Sequence, residues 1–182
     1  MRVVAGRARG RPLYAPKGTD TRPTSDRVRE AVFDILASMD AVEGATALDL
    51  FAGSGAFGVE CLSRGAEAAV LVDHHAEAVA AIRQNLEVLG DDAERATVVR
   101  MDALAYARSA PPFDLVFADP PYRYTGWASL LEALAGRTGL LVAETGWDGA
   151  TPGWAPGPGW ETVKVRRYGG TVVSIAKPES HT

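Results

Sequence analysis

Leu48-Asp49-Leu50-Phe51-Ala52-Gly53-Ser54-Gly55-Ala56-Phe57-Gly58 reads as a strand, a glycine-rich turn and the start of a helix. Gly53, Gly55 and Gly58 satisfy G-x-G-x-x-G, and Asp73 ends the next apolar run twenty residues after Gly53, so the spacing formally matches a dinucleotide fingerprint. Outward from this stretch, apolar runs at 46–52, 69–73, 97–101, 113–119 and 139–145 alternate with helical patterns near 56–64, 75–90, 103–109 and 126–136. Such alternation predicts a parallel sheet with helices on both faces. Val28, Ala31, Val32, Ile35, Leu36 and Met39 recur at helical spacing after a Pro-Thr-Ser-Asp start signal, which predicts a further helix over 26–39 across the edge or mouth of the sheet. Thr151 to Trp160 holds three prolines, three glycines and two tryptophans and reads as an irregular loop. Beyond it, 161–168 and 171–177 flank Gly169-Gly170 as an antiparallel hairpin.

A chain of 182 residues fits one domain with a small appendage. No apolar stretch approaches the roughly 20 residues that span a bilayer, and the start Met-Arg-Val-Val-Ala-Gly lacks the apolar core of a signal peptide. The single cysteine, Cys61, excludes a disulfide framework and a cysteine metal cluster, and a cytoplasmic location is expected. Cys61 shares a helical segment with Val59 and Leu62 and reads as core. His74 and His75 are adjacent rather than at metal-ligand spacing, so no metal is expected. The net charge of −4 is unevenly spread: residues 1–30 carry eight Lys/Arg against three acids, +5, which leaves −9 for the remainder. That asymmetry suggests a basic arm meeting phosphate while an acidic body stays soluble.

The chemistry of the neighbouring residues separates the possible cofactors. An acid at Asp49 would repel a pyrophosphate, whereas S-adenosylmethionine has an ammonium and a sulfonium that an aspartate attracts. On this reading Asp73 accepts from the ribose hydroxyls, the glycines admit the backbone, and Asp102 after the third strand binds the adenine amine. Downstream, Phe113-Asp114-Leu115-Val116-Phe117-Ala118 is a buried strand that delivers Asp119-Pro120-Pro121-Tyr122 to the C-terminal edge of the sheet, where open α/β folds place ligands. An aromatic exocyclic amine is a poor nucleophile because its lone pair is delocalised. Acceptors for its N–H bonds, here the Asp119 carboxylate and the Pro120 carbonyl, let the nitrogen rehybridise, and Tyr122 can stack on the base. A thiolate route to a pyrimidine carbon is excluded, because tyrosine follows Pro121.

Taken together, the chain resembles the RsmD-type bacterial 16S ribosomal RNA guanine-N2 methyltransferases. The resemblance runs from Arg2-Val3-Val4-Ala5-Gly6 with Gly10-Arg11, through Arg22-Pro23-Thr24 and Arg27-Val28-Arg29-Glu30-Ala31-Val32-Phe33, to the glycine stretch, Ser63-Arg64-Gly65-Ala66 and Asp119-Pro120-Pro121-Tyr122. It implies an α/β fold of the class I S-adenosylmethionine-dependent methyltransferase (Rossmann-like) type, with a C-terminal antiparallel hairpin and a small N-terminal β-hairpin extension. Residues 1–24 would form the basic RNA-binding extension, a hairpin around Gly6 to Gly18, and 25–182 the methyltransferase domain. The implied cofactor residues are Asp49, Phe51, Gly53, Ser54, Gly55, Asp73 and Asp102, with Arg22 and Thr24 near the mouth. Asp119, Pro120, Pro121 and Tyr122 would hold the target base, and Arg2, Arg7, Arg9, Arg11 and Lys17 would grip phosphates. The implied partner is 16S ribosomal RNA within the small subunit, with neighbouring ribosomal proteins, and a monomer with no membrane partner is expected. The family commonly has glutamate where this chain has Asp73; both accept from a ribose diol.

Three rival readings stand beside this one. A DNA or RNA adenine-N6 methyltransferase shares the DPPY motif, but a DNA enzyme would want a target-recognition region for which 182 residues leave little room. A nicotinamide-dependent oxidoreductase fits the glycine spacing but leaves Asp49 and DPPY unexplained. A non-catalytic RNA-binding module would not need Asp119. Trp127 reads as a packing residue at a helix start.

Overall fold

A computed structural model describes residues 1–16, 25–147, 149 and 156–179. Helix α1 (Asp26–Ala37) starts where the Ser25 hydroxyl accepts from the Val28 N–H, with Asp26 in the first turn, so both the cap and the helix dipole favour that position. Then follow β1 (Thr46–Leu50), α2 (Ala56–Ser63), β2 (Ala68–Asp73), α3 (Ala76–Leu86), β3 (Ala96–Arg100), α4 (Ala103–Ser109), β4 (Phe113–Ala118), α5 (Trp127–Leu134), β5 (Thr138–Gly146), β6 (Trp160–Tyr168) and β7 (Thr171–Pro178). The helix expected over 75–90 stops at Leu86 and continues as 3-10 turns, Glu87–Arg95, because Gly90 takes φ 58 and ψ −129, outside the helical region.

The sheet order is β3-β2-β1-β4-β5-β7-β6. Strands β1 to β5 pair in parallel, and β7 enters antiparallel between β5 and β6. Alternation along the central strands sends Ala47, Leu71, Leu115 and Phe117 to one face, against α1, α2 and α3. Leu48, Leu50, Val116 and Leu141 go to the other, against α4 and α5. On the first face Phe57 stacks on Phe117 at 4.7 Å between centroids and Phe33 tilts against both. This is the class I arrangement expected from the sequence.

The end of the hairpin expected around Gly6 to Gly18 lies outside the described residues; residues 1–16 form a folded-back segment. It doubles back at residues 5–10 and closes with one antiparallel bridge, Arg2 to Pro12. It is also sewn to the domain. Val3, Ala8 and Leu13 are buried in the α1–α2–α3 core. Val4 and Ala5 N–H donate to the Glu60 carboxylate, 2.9 Å each, and Arg7 N–H donates to the Ser63 carbonyl at 2.8 Å. Glu60 is itself fully buried and lies 3.7 Å from the buried Arg29. Removing one partner of such a pair leaves an uncompensated buried charge, which costs about 3–5 kcal/mol.

Gly6 and Gly10 both take φ +81, but a Cβ on Gly6 would lie 2.0 Å from the Ser63 carbonyl oxygen while one on Gly10 meets nothing. Gly10→Ala therefore costs only backbone strain, about 1 kcal/mol. Gly6→Ala forces the segment off α2 and costs roughly 2–4 kcal/mol. Urea unfolding of the two variants measures the difference.

Candidate active site

Parallel register brings the site together. Leu50 pairs with Val72 on one side and Ala118 on the other, so Phe51, Asp73 and Asp119 emerge beside one another at the C-terminal edge. Here the chain must turn sharply from β1 into α2. Phe51, Gly53 and Gly55 all have positive φ, at 59, 56 and 75. For a bulky residue such as Phe51 that conformation costs of order 1–3 kcal/mol. Four bonds hold it in place: Ala52 N–H to Val72 O at 3.0 Å and Gly55 N–H to Ala52 O at 2.6 Å, Gly53 N–H to Asp73 Oδ2 at 2.9 Å, and Gly58 N–H to Asp49 Oδ2 at 3.0 Å. A Cβ at Gly55 or Gly58 would come within 2.8 or 2.6 Å of Leu71 Cδ2. These two glycines therefore let α2 lie against β2.

Asp49 lies beneath the loop, only 2% exposed. Burial pushes its carboxyl well above the usual range, the Gly58 N–H opposes that shift, and the neighbouring charges of Asp119 and Asp73 add to it. No ion pair joins Asp49 to a cation among the described residues. Asp73 is buried and already accepts at both oxygens, from Gly53 N–H and from His75 N–H at 2.9 Å. A carboxylate has about four acceptor positions, so capacity remains for a diol. The adjacent histidines come closer to Asp73 than their spacing suggests: ligand atoms of Asp73, His74 and His75 all lie within 4.8 Å of one another.

Asp102 is the N-cap of α4, its Oδ1 accepting from Ala105 N–H at 2.9 Å, and it is exposed, with its second oxygen unused among the described residues. Sequence reasoning missed its neighbour Tyr124. Pro121 O accepts from Tyr124 N–H at 2.8 Å, closing a turn after the two prolines. The ring then meets Phe51 edge-on at 5.1 Å and Trp127 at 5.7 Å. Burial, and then the Asp102 charge, raise the Tyr124 phenol above its ordinary value. Asn85 was missed as well. Fully buried, it donates to Tyr14 O and Ser54 O, 2.8 Å each, and accepts from Tyr14 N–H, which ties the N-terminal segment to the glycine loop. A polar residue on an otherwise apolar helix face was its only signal.

In the DPPY segment Asp119 is half-buried and Pro120 buried, while Pro121 and Tyr122 are exposed. The Tyr122 ring lies over Gly146 and its hydroxyl is 3.2 Å from Thr171 Oγ1, so the ring rests on the mouth of β5 and β7. No backbone N–H among the described residues donates to the Pro120 carbonyl. Arg2, Arg7, Arg9 and Arg11 are all exposed, with Arg7 3.3 Å from Asp92. Lys17, Arg22 and Thr24 lie outside the described residues, as does the 151–155 part of the Gly/Pro/Trp-rich stretch. An edge with four carboxylates, Asp49, Asp73, Asp102 and Asp119, of which Asp49 is buried and unpaired with any described cation, suits a cationic ligand and opposes a pyrophosphate.

The profile of the family described as Conserved hypothetical protein 95 matches residues 1–177. The Ribosomal RNA small subunit methyltransferase D of Escherichia coli (strain K12) is 39% identical over 148 residues, covering 81% of this chain and 69% of that protein. Among solved structures, a hypothetical protein from Thermus thermophilus superposes with a TM-score of 0.77 at 30% identity, covering 96% of this chain and 98% of that one. The magnesium protoporphyrin IX methyltransferase of Synechocystis PCC 6803, solved with bound SAM, shares the fold at a TM-score of 0.68 and 16% identity, over 84% of this chain and 79% of that one.

Cys61 is buried in α2, and burial together with the charges of Asp49 and Glu60 raises its thiol well above the ordinary value. A thiol reagent at neutral pH is expected to leave it unmodified in the native protein and to label it fully in denaturant. Mass spectrometry reads both states.

Proposed function

Since the chain belongs to the Conserved hypothetical protein 95 family, the RsmD-type family that its motifs resemble, we propose that it methylates the exocyclic N2 amine of one guanine in 16S ribosomal RNA of the small subunit. S-adenosylmethionine is the cofactor, and ribosomal RNA methylation is the activity that the family membership supports. The observation that carries the reading is the convergence of Asp49, Asp73 and Asp119 at one strand edge beside Tyr122. When bound, S-adenosylmethionine supplies an electrophilic methyl group on a sulfonium.

The chain's own residues bind, orient and prepare the amine. Asp49 offers a buried negative charge to the cationic end of the cofactor, and the backbone of Phe51, Gly53, Ser54 and Gly55 shapes the wall of the site. Asp73 accepts from the ribose diol and Asp102 from the adenine amine, with Phe51 and Tyr124 providing apolar flanks. Arg22 and Thr24 belong at the mouth. Asp119 and the Pro120 carbonyl accept the N–H bonds of the guanine amine, Pro121 makes the tight turn, and Tyr122 stacks on the base. Fixing the nitrogen in line with the methyl group converts an encounter into an intramolecular-like transfer. Arg2, Arg7, Arg9, Arg11 and Lys17 provide the outer phosphate contacts of the 1–24 extension. The protein acts as a monomer in the cytoplasm, where ribosomal proteins near the target complete the recognised surface.

Incubation with labelled S-adenosylmethionine and small subunits lacking the modification should yield N2-methylguanosine on nucleoside analysis. N6-methyladenosine as the product would overturn the assignment. Asp119→Ala should lower kcat by roughly 10²–10⁴-fold while S-adenosylhomocysteine still binds.

Asp49 generates a pH prediction. Because its folded pKa lies above its unfolded one, its contribution to the stability of the free protein is full at low pH and is lost as pH rises through the folded value. The cofactor needs the ionised form. Affinity for S-adenosylhomocysteine is thus expected to fall on acidification, beginning above the usual carboxylate range. Asp49→Asn should flatten that pH dependence and weaken binding without lowering the unfolding midpoint at neutral pH. Titration and thermal melts across pH test both.

A further inference from the structure

Two exposed aromatic rings lie at the C-terminal edge of the parallel strands, each against the β6–β7 turn. Tyr122 is 59% exposed and Trp147 38%. Both are seated on the end of the β6–β7 hairpin: Tyr122 through Thr171, Trp147 through its N–H, which donates to Gly170 O at 2.9 Å. Because β7 runs antiparallel to β5, with Gly146 opposite Thr171, this turn lies at the same edge as the DPPY segment. The Arg167 guanidinium lies over the Trp147 ring, Cζ 3.1 Å from the centroid. Its Nε donates to Gly169 O at 2.8 Å. Nη1 and Nη2 have no partner among the described residues, and neither Arg167 nor the exposed Arg123 beside Tyr122 has a carboxylate partner among them.

Among the N-terminal arginines, Arg7 is placed differently. The turn bearing Arg7 is bonded to Ser63, the last residue of α2. That helix begins at the glycine loop, so Arg7 sits about 12 Å along it, eight residues at 1.5 Å each, toward the opposite edge. Arg7 is also paired with Asp92.

We propose that Trp147, Arg167 and Arg123 form a shelf for the single-stranded RNA next to the target nucleotide, with Arg167 and Arg123 on phosphates and the Trp147–Arg167 stack as a platform for a neighbouring base. The chemistry matches that partner. A guanidinium over an aromatic ring, with Nη1 and Nη2 unpartnered among the described residues, offers donors to phosphate, and aromatic faces beside cations are what unpaired bases stack on. The shelf rests on the proposed RNA substrate and extends it to the flanking strand.

The test uses the full chain, a single-stranded RNA oligonucleotide and small subunits lacking the modification. The Arg123→Ala/Arg167→Ala variant should bind the oligonucleotide about tenfold more weakly, with a salt slope smaller by about 0.7 per lost phosphate contact. Its unfolding midpoint and S-adenosylhomocysteine affinity should match the parent. Arg167→Lys should keep the salt slope without restoring affinity, and Trp147→Ala should lose affinity at unchanged slope. In turnover assays the loss should fall on KM for RNA rather than on kcat. Oligonucleotide affinity and slope equal to the parent in a folded double variant would overturn the shelf. So would a loss seen only with subunits, which would make the patch a contact for a ribosomal protein. Methylation by the unaltered protein reports separately on the substrate itself, so failure there and failure of the shelf are distinguishable.

Discussion

Two carboxylates holding one loop are the constraint on which the site depends. Asp49 takes the Gly58 N–H from below and Asp73 the Gly53 N–H from the side. Between them Phe51 is kept in a left-handed conformation that a free chain would abandon. On the proposed function the same two acids supply the negative field that favours a cationic cofactor, so the interaction that shapes the loop would also select its ligand. Part of that selectivity costs stability, because a buried carboxylate without a cation is strained until one arrives.

The N-terminal segment serves the same loop from the other side. Asn85 joins Tyr14 to Ser54, and the buried Glu60 gathers the Val4 and Ala5 amides, Arg29 and Arg64. A stretch whose composition advertises solvent-exposed arginines therefore has a buried underside. The exposed arginines sit on a segment whose buried side is bonded to α2 and, through Asn85, to the glycine loop.

Much of this was legible in sequence. Alternating apolar runs and helical spacing gave the strand and helix limits within a few residues, because buried parallel strands must be apolar on both faces. Glycine spacing located the loop, and charge chemistry singled out Asp49. What escaped depends on tertiary contact. Val3, Ala8 and Leu13 follow no helical or strand period, so their burial had no pattern to reveal it. Gly90 interrupts a run that otherwise reads as one helix. Tyr124 and the Trp147–Arg167 pair are brought to the C-terminal edge of the sheet by a turn and by antiparallel register, neither of which leaves a local motif.

The central claim is that the acidic edge selects a cationic methyl donor over a pyrophosphate cofactor despite the G-x-G-x-x-G spacing. Calorimetric titration of the same protein preparation with S-adenosylmethionine, S-adenosylhomocysteine and NAD tests it most directly. Saturable binding of both S-adenosyl ligands with no heat from NAD is the predicted result. Binding of NAD with no response to either S-adenosyl ligand would contradict the account at its foundation.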